Sequence, residues 1–183
     1  MGLQGEKWRA GFPGEEVEEV VEWWMEADRR AEASGDWRPM ADLYVDDAEY
    51  HWNSGPTTDL VARGREEIRE LALGLEMEGL DGWTYPYEKV LIDEKQGEVV
   101  GSWKQIADAT REDGSHYEVA GVGGSHFRYG GNLKWSWQRD FFDTGNAAAV
   151  FLEMMKADKL SEGLKKRLNP GSGPPPGHYK KGQ

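Results

Sequence analysis

The chain has 183 residues, with nine Trp, no Cys and a formal net charge of −12. This length suits one domain with a single hydrophobic core, and the lack of cysteine excludes disulfides, thiolate nucleophiles and Cys-ligated zinc. A chain this acidic is repelled by phosphate backbones and by anionic lipid surfaces, so we expect neither a nucleic-acid nor a membrane partner. It also has no apolar segment of signal-peptide or membrane-spanning length, and we expect a cytoplasmic protein.

The helices are predicted from apolar spacing. Residues 1–14 are rich in glycine and polar residues and are predicted to be an irregular lead. A first helix follows, with an apolar stripe at helical spacing. That stripe consists of Val17, Val20, Val21, Trp24, Ala27 and Ala31. A short second helix is expected near residues 38–44, a third at 64–77, and a last one between Asp143 and Arg167.

Strand-like segments occupy most of the region between the third and last helices. An early strand is predicted at 45–53, and four more at 83–94, 98–110, 116–129 and 133–143, because these segments are rich in aromatic and β-branched residues. Turn dipeptides such as Asp113-Gly114 separate them, and the connections are too short for crossovers. The four later strands are therefore predicted to form an antiparallel meander.

These elements predict an α+β fold. A curved antiparallel sheet would wrap around the N-terminal helices and leave a cone-shaped pocket for a small molecule. Glycines inside the strands permit that curvature. They are Gly101, Gly121, Gly123 and Gly124. The predicted organisation is an irregular lead at 1–14, one domain at 15–168, and a disordered Pro- and Gly-rich tail at 169–183.

Four motifs indicate a family. The segments "DLYVDDAEYHW", "GREEIREL", "DGSHYEVAGVGGSHFRY" and "WQRDFFD" resemble the SnoaL-like members of the nuclear transport factor 2-like superfamily. That superfamily includes polyketide cyclases, ketosteroid isomerase, scytalone dehydratase and limonene epoxide hydrolase. The resemblance spans roughly residues 15–160. It implies a cone that holds a small hydrophobic molecule, often in a homodimer, and that works without a metal or an organic cofactor.

The last strand carries the main candidate for chemistry. Its segment 138–143 resembles the strand of limonene epoxide hydrolase that carries a catalytic aspartate, which places Asp140 in that role. Tyr50 matches a tyrosine of the same family, but Trp52 stands where that family has Asn. The family's Arg-x-Asp pattern is absent from 104–108. The resemblance therefore supports the superfamily more strongly than it supports epoxide hydrolysis as the reaction.

Strand alternation divides the last strand into two faces. Gln138, Asp140 and Phe142 share one face, which the resemblance implies is turned to the cone. There Asp140 would act as general acid or base, and the alternative is an ion pair with an arginine. Tyr50 would donate a hydrogen bond to a substrate oxygen. The other candidate pocket-lining residues are Trp52, Trp103, Gln138, Phe142, His126 and Asp108.

The opposite face of the last strand is predicted to carry Trp135, Trp137 and Phe141. An exposed aromatic stripe normally meets a partner, so we expect a homodimer through the convex face of the sheet. The alternative is that the final helix or the tail covers the stripe.

Three histidines and one serine suggest weaker alternatives. His51, His116 and His126 lie on separate segments without a carboxylate at helical ligand spacing, so we expect no metal site. His126 could instead pair with Asp140 or Asp108 as a base and its orienting group. Ser125 lacks the G-x-S-x-G context of a nucleophile.

Two functional hypotheses remain open from the sequence. The first is a cofactor-independent acid-base enzyme: an isomerase, cyclase, hydratase or dehydratase, or a hydrolase of the epoxide-hydrolase type. The second is a non-catalytic module of the same fold that binds a ligand or another protein.

Overall fold

The computed structural model describes residues 13–54, 58–169 and 177–180. Helix α1 spans Gly14–Ser34 and ends at Gly35, which adopts the left-handed conformation and donates its backbone N–H to the carbonyl of Ala31. A glycine meets no Cβ penalty in that conformation. The predicted lead lies outside the described residues except for its last two positions.

The predicted second and third helices differ in regularity. A 3₁₀-helix at Arg38–Leu43 takes the place of the second. The third is divided into α2 (Arg65–Glu67), a π-helix at Ile68–Ala72 and a 3₁₀-helix at Leu75–Met77. Gly74 has a non-helical conformation between the last two pieces, and a Cβ there would meet the Glu70 carbonyl oxygen at 2.6 Å.

The last predicted helix is two helices in the structure. Helix α3 spans Thr144–Lys156 and α4 spans Glu162–Arg167. The side chains of Asp143 and Ser161 cap their N-termini by accepting hydrogen bonds from backbone N–H groups. The prediction of one continuous helix is wrong because the chain turns between them, where Asp158 has a left-handed φ of 54°.

The main sheet has seven strands in the order β10-β2-β1-β9-β8-β5-β4. Its strands are β1 (Tyr44–Asn53), β2 (Asp59–Arg63), β4 (Tyr87–Asp93), β5 (Glu98–Trp103), β8 (Gly123–Gly131), β9 (Lys134–Phe141) and β10 (His178–Lys180). Strands β1 and β9 pair in parallel, and the other pairs are antiparallel. The α+β fold with a curved sheet, predicted from the sequence, is confirmed, although one strand pair is parallel.

A second sheet of three strands consists of β3 (Trp83–Thr84), β6 (Ile106–Thr110) and β7 (His116–Glu118), in the order β3-β6-β7. Its apolar side chains form a separate cluster with α3 and α4. The predicted strands 98–110 and 116–129 are thus each broken, and their halves belong to different sheets.

The C-terminal tail differs from its prediction. Within the segment 169–183 that was predicted to be disordered, His178–Lys180 forms β10 and pairs antiparallel with β2. Residues 170–176 and 181–183 lie outside the described residues. Among the residues that the structure describes, no helix is both long and apolar enough to cross a membrane.

Strand β9 contains an irregularity that corrects one prediction. Trp137 pairs with Arg128 and Trp135 pairs with Tyr129, so Ser136 is an extra residue in β9. An extra residue inverts the alternation of side chains beyond it. Trp135 therefore points inward, fully buried against Phe127, and its predicted place on the convex face is wrong.

Candidate functional site

A cavity of about 110 Å³ lies between α1, the helical segments and the inner face of the main sheet. This is several times the ~10–15 Å³ needed to hold one water molecule. Its wall is rich in aromatic side chains and contains eight of them. They are Trp24, Trp37, Tyr50, Trp52, Tyr85, Tyr87, Trp103 and Phe142. An apolar cavity with a few polar groups is the usual form of a small-molecule site.

Asp140 lies in the cavity wall and accepts three hydrogen bonds from protein side chains. Tyr50 donates its hydroxyl proton to Oδ2. Ser125 Oγ and Gln138 Nε2 donate to Oδ1 at 2.7 and 2.8 Å. A carboxylate has about four acceptor positions, so one remains on Oδ2 for a ligand. Arg139 pairs instead with Asp59 on β2 at 3.1 Å, and among the described residues Asp140 has no cationic partner.

A second layer of hydrogen bonds fixes two of these three donors, Ser125 and Gln138. Trp103 Nε1 and the Tyr87 hydroxyl both donate to Ser125 Oγ, at 2.9 and 3.3 Å. The Tyr44 hydroxyl donates to the side-chain carbonyl of Gln138. Each chain of donors thus ends on the carboxylate of Asp140. Such a network restricts the position of the acid, because two of its three donors are themselves held.

The electrostatics of Asp140 are set by two opposing effects. Burial removes the carboxylate from water and raises its pKa, while the hydrogen bonds from Tyr50, Ser125 and Gln138 lower it. Burial has the larger effect, so the pKa of Asp140 lies above the ordinary value for aspartate. A raised pKa brings a carboxyl group closer to the range in which it both gives and takes protons near neutral pH.

Two glycines let aromatic rings lie against the sheet inside the cone. A Cβ on Gly123 would lie 1.9 Å from the Trp103 ring, and a Cβ on Gly101 would lie 2.4 Å from the Tyr87 ring. Trp103 and Gly123 are direct cross-strand partners. The glycines therefore give room to the rings that donate to Ser125.

A second carboxylate in the cavity wall, Asp28 on α1, was missed by the sequence reasoning. It is 8% exposed, and among the described residues it accepts no hydrogen bond. Burial first, then the charges of Glu32 and Asp140, raise its pKa to about 7. Its position in the sequence could have indicated that it is buried, because Asp28 lies four residues after Trp24 and three before Ala31, inside the apolar stripe.

The rim near the third helix holds a third carboxylate, Glu76. Arg167 of α4 donates to both its side chain and its backbone carbonyl, which compensates its charge. Burial raises the pKa of Glu76, and Arg167 opposes that rise. The indole N–H of Trp52 lies near Glu76, and the hydroxyl of Tyr85 lies near Gln105, but neither makes a hydrogen bond of good geometry within the described residues.

The structure places six of the eight sequence-predicted site residues in the cavity wall. They are Tyr50, Trp52, Trp103, Gln138, Asp140 and Phe142. The predicted role of Tyr50 changes, because its hydroxyl proton is given to Asp140. Tyr50 positions the carboxylate here and is not free to donate to a substrate oxygen.

Two predicted pocket residues lie elsewhere, and these predictions are wrong. His126 alternates with Ser125 and so points to the outer face, where it bonds Glu98 at 3.1 Å. It cannot pair with Asp140 across the sheet. Asp108 is exposed on β6 beside Gly82, because the strand predicted at 98–110 breaks after Trp103.

The histidines do not form a metal centre in the described part of the chain. His51 contacts Glu49, His126 contacts Glu98, and His116 bonds the Ala107 carbonyl oxygen. No group of three metal-ligating His, Asp or Glu side chains occurs within residues 13–54, 58–169 and 177–180.

Comparison with solved structures identifies the fold as the one shared by NTF2-like and SnoaL-like proteins. An NTF2-like protein from Anabaena variabilis matches with a TM-score of 0.54 and 17% identity, over 78% of this chain and 96% of that one. A putative SnoaL-like polyketide cyclase from Jannaschia matches with a TM-score of 0.55 and 16% identity, over 80% and 96%.

The same fold also occurs in a designed protein. A de novo designed protein with a curved β-sheet matches with a TM-score of 0.51 and 15% identity, over 80% of this chain and 99% of the designed chain. No protein-family model matches the sequence, and no curated protein matches it. At these identities the likeness establishes the fold, and any function must be argued from the cavity.

Proposed function

We propose that this protein is a cofactor-independent enzyme that moves a proton on a small, mainly apolar molecule carrying an oxygen function. The reaction would be an isomerisation, cyclisation, hydration or dehydration. The observation that carries this proposal is the placement of Asp140, a carboxylate with raised pKa, in the wall of an aromatic cavity. A carboxyl group so placed suits general acid-base catalysis.

In the proposed reaction the unoccupied acceptor position on Oδ2 of Asp140 takes a proton from a carbon next to a carbonyl group. The electron pair of the broken C–H bond moves toward the carbonyl oxygen. The carboxyl proton of Asp140 exchanges with solvent, and Asp140 then returns a proton to the same or another position, so no outside oxidant or base is required. The Trp52 indole N–H and the Tyr85 hydroxyl are buried groups of the wall whose protons could be offered to that oxygen.

Deuterium exchange tests the proposed proton transfer without knowledge of the substrate. Small cyclic ketones in D₂O would be followed by NMR for exchange of the protons next to the carbonyl. Asp140→Asn should lower the protein-catalysed rate by about 10²–10⁴-fold, the usual contribution of a general base. Asp108→Asn is the matched control, because Asp108 is an exposed carboxylate outside the cavity. Equal rates for the two variants would contradict the proposal.

A non-catalytic binding module is the second candidate function, and one observation favours it. Three protein donors already occupy Asp140, which is also how a structural carboxylate is held. Under this function, ketone exchange would not exceed the uncatalysed rate, while ligands would still bind in the cavity. The two functions are thus separated by the same assay.

We also propose that the protein forms a homodimer through the outer face of the main sheet. Phe141, Val100 and Leu91 are 44%, 38% and 57% exposed on that face. Trp137 lies on the same side, with Arg128 stacked 4.7 Å from its ring centre. Exposed apolar side chains on one face of a sheet commonly meet a second copy of the chain.

A further inference from the structure

The charges of the cavity wall are not balanced. Its ionisable acids are Asp28, Glu76 and Asp140, and its lining contains no Lys, Arg or His. Arg167 compensates Glu76 from outside the lining. In the described part of the chain, the remaining two carboxylates face the cavity without a cationic partner.

Asp28 has no role in the proton transfer proposed above. It is more than nine-tenths buried, lines the cavity, and accepts no hydrogen bond within the described residues. The neighbouring Arg29 is directed to the surface, where it pairs with Glu26 at 2.6 Å. A buried carboxylate without a partner is costly, so a group that compensates it is expected in the ligand-bound state.

The rest of the wall suits a positive charge. Four Trp residues line the cavity, and indole rings attract organic cations more strongly than other aromatic side chains. The net charge of −12 adds a long-range attraction for cations and disfavours anions. Aromatic rings combined with a carboxylate are the usual recognition chemistry for ammonium groups.

We infer that the cavity takes a small organic cation, an amine or quaternary ammonium compound, with Asp28 as its counter-ion. This deepens the proposed function, since it rests on the same cavity being the ligand site and names the class of ligand. A bound cation would lower the pKa of Asp28, because it would favour the ionised carboxylate.

A matched pair of probes tests this inference. Choline and 3,3-dimethylbutan-1-ol have the same shape, and the only change is a positively charged nitrogen in place of a carbon. Binding would be measured by calorimetry near pH 8, where Asp28 is mostly ionised. Choline should bind about tenfold or more tightly than the neutral probe, because only choline can form an ion pair with Asp28 in this buried site.

Variants of α1 show whether Asp28 is responsible for the preference for choline. Asp28→Asn should bring the affinity for choline to within about twofold of that for the alcohol while leaving the alcohol's own affinity nearly unchanged. Asp28→Glu should retain the preference for choline. Glu22→Gln, an exposed acid on the same helix, should leave both affinities as they are.

Each contrary result has a distinct meaning. If the alcohol binds as tightly as choline, or if Asp28→Asn keeps the preference, the inference is wrong and the cavity remains a site for neutral molecules. If neither probe binds, the inference is also wrong, and ketone exchange with Asp140→Asn decides the proposed enzyme separately. Should Asp28→Asn fail to fold, the comparison of the two probes on the natural chain remains decisive.

Discussion

Replacement of Asp28 by Asn should change the stability of the protein by an amount that depends on pH. The folded chain raises the pKa of Asp28 to about 7, first through burial and then through the charges of Glu32 and Asp140, from an ordinary value of 3.8. The folded state therefore binds the Asp28 proton more tightly than the unfolded state. By linkage, the free energy of unfolding falls as pH rises between these two values, and the loss is complete above pH ~7.

The size of the effect follows from that shift. At about 1.4 kcal/mol per pKa unit, ionised Asp28 costs the folded state roughly 4 kcal/mol at high pH, of which about 3 kcal/mol develops between pH ~5 and pH ~8. Asn cannot ionise and escapes this loss. Its buried amide without a partner costs ~1–3 kcal/mol, but it does so at both pH values. The difference between the two pH values is thus the quantity predicted.

Urea unfolding of the natural chain and of Asp28→Asn, near pH 5 and near pH 8, measures this difference. The variant should gain about 3 kcal/mol relative to the natural chain on going to the higher pH, which corresponds to several degrees in Tm. Glu22→Gln, exposed on the same helix, should show no such gain. An equal effect of Asp28→Asn at both pH values would refute the argument that Asp28 holds its proton in the folded state.

Three further predictions concern the sheet. Tyr50→Phe removes a hydrogen bond that lowers the pKa of Asp140. The pKa of Asp140 should therefore rise further, as measured by infrared titration of the carboxyl band. An unchanged titration would contradict the hydrogen bond between Tyr50 and Asp140. Gly123→Ala should lower the free energy of unfolding by ~1–3 kcal/mol and change the tryptophan fluorescence, because its Cβ would overlap the Trp103 ring. An unchanged emission spectrum would show that Trp103 lies elsewhere. Phe141→Glu should convert the proposed dimer to a monomer in sedimentation experiments, and a monomeric natural chain would disprove the dimer.

The sequence was sufficient for what depends on local periodicity. The apolar stripe of α1 and the alternation of the strands predicted the fold class, and alternation placed Gln138 and Asp140 on one face. Alternation failed at Trp135, since a single extra residue in β9 inverts every side chain on its far side. Nothing in the residue types near Ser136 marks it as the extra residue.

Contacts between distant segments could not be predicted from the sequence. The parallel pairing of β1 with β9 sets Tyr50 opposite Gln138, and no turn connects those strands directly. Asp28 was missed for a related reason. An acid inside an apolar stripe signals a buried charge only once the stripe is known to face a cavity and not the solid core.

The position of the proposed acid follows from the ladder of the three central strands. Ser125 on β8 is the direct partner of Asp140 on β9, and Tyr50 on β1 is the partner of Gln138, next to it on the same face. All three donors to Asp140 thus lie on neighbouring strands or on β9 itself, fixed by backbone hydrogen bonds and not by loops. A shift of one residue in the β8–β9 register would turn the carboxylate to the outer face. The extra residue in β9 precedes Gln138, so the inversion does not reach the segment that carries Gln138 and Asp140.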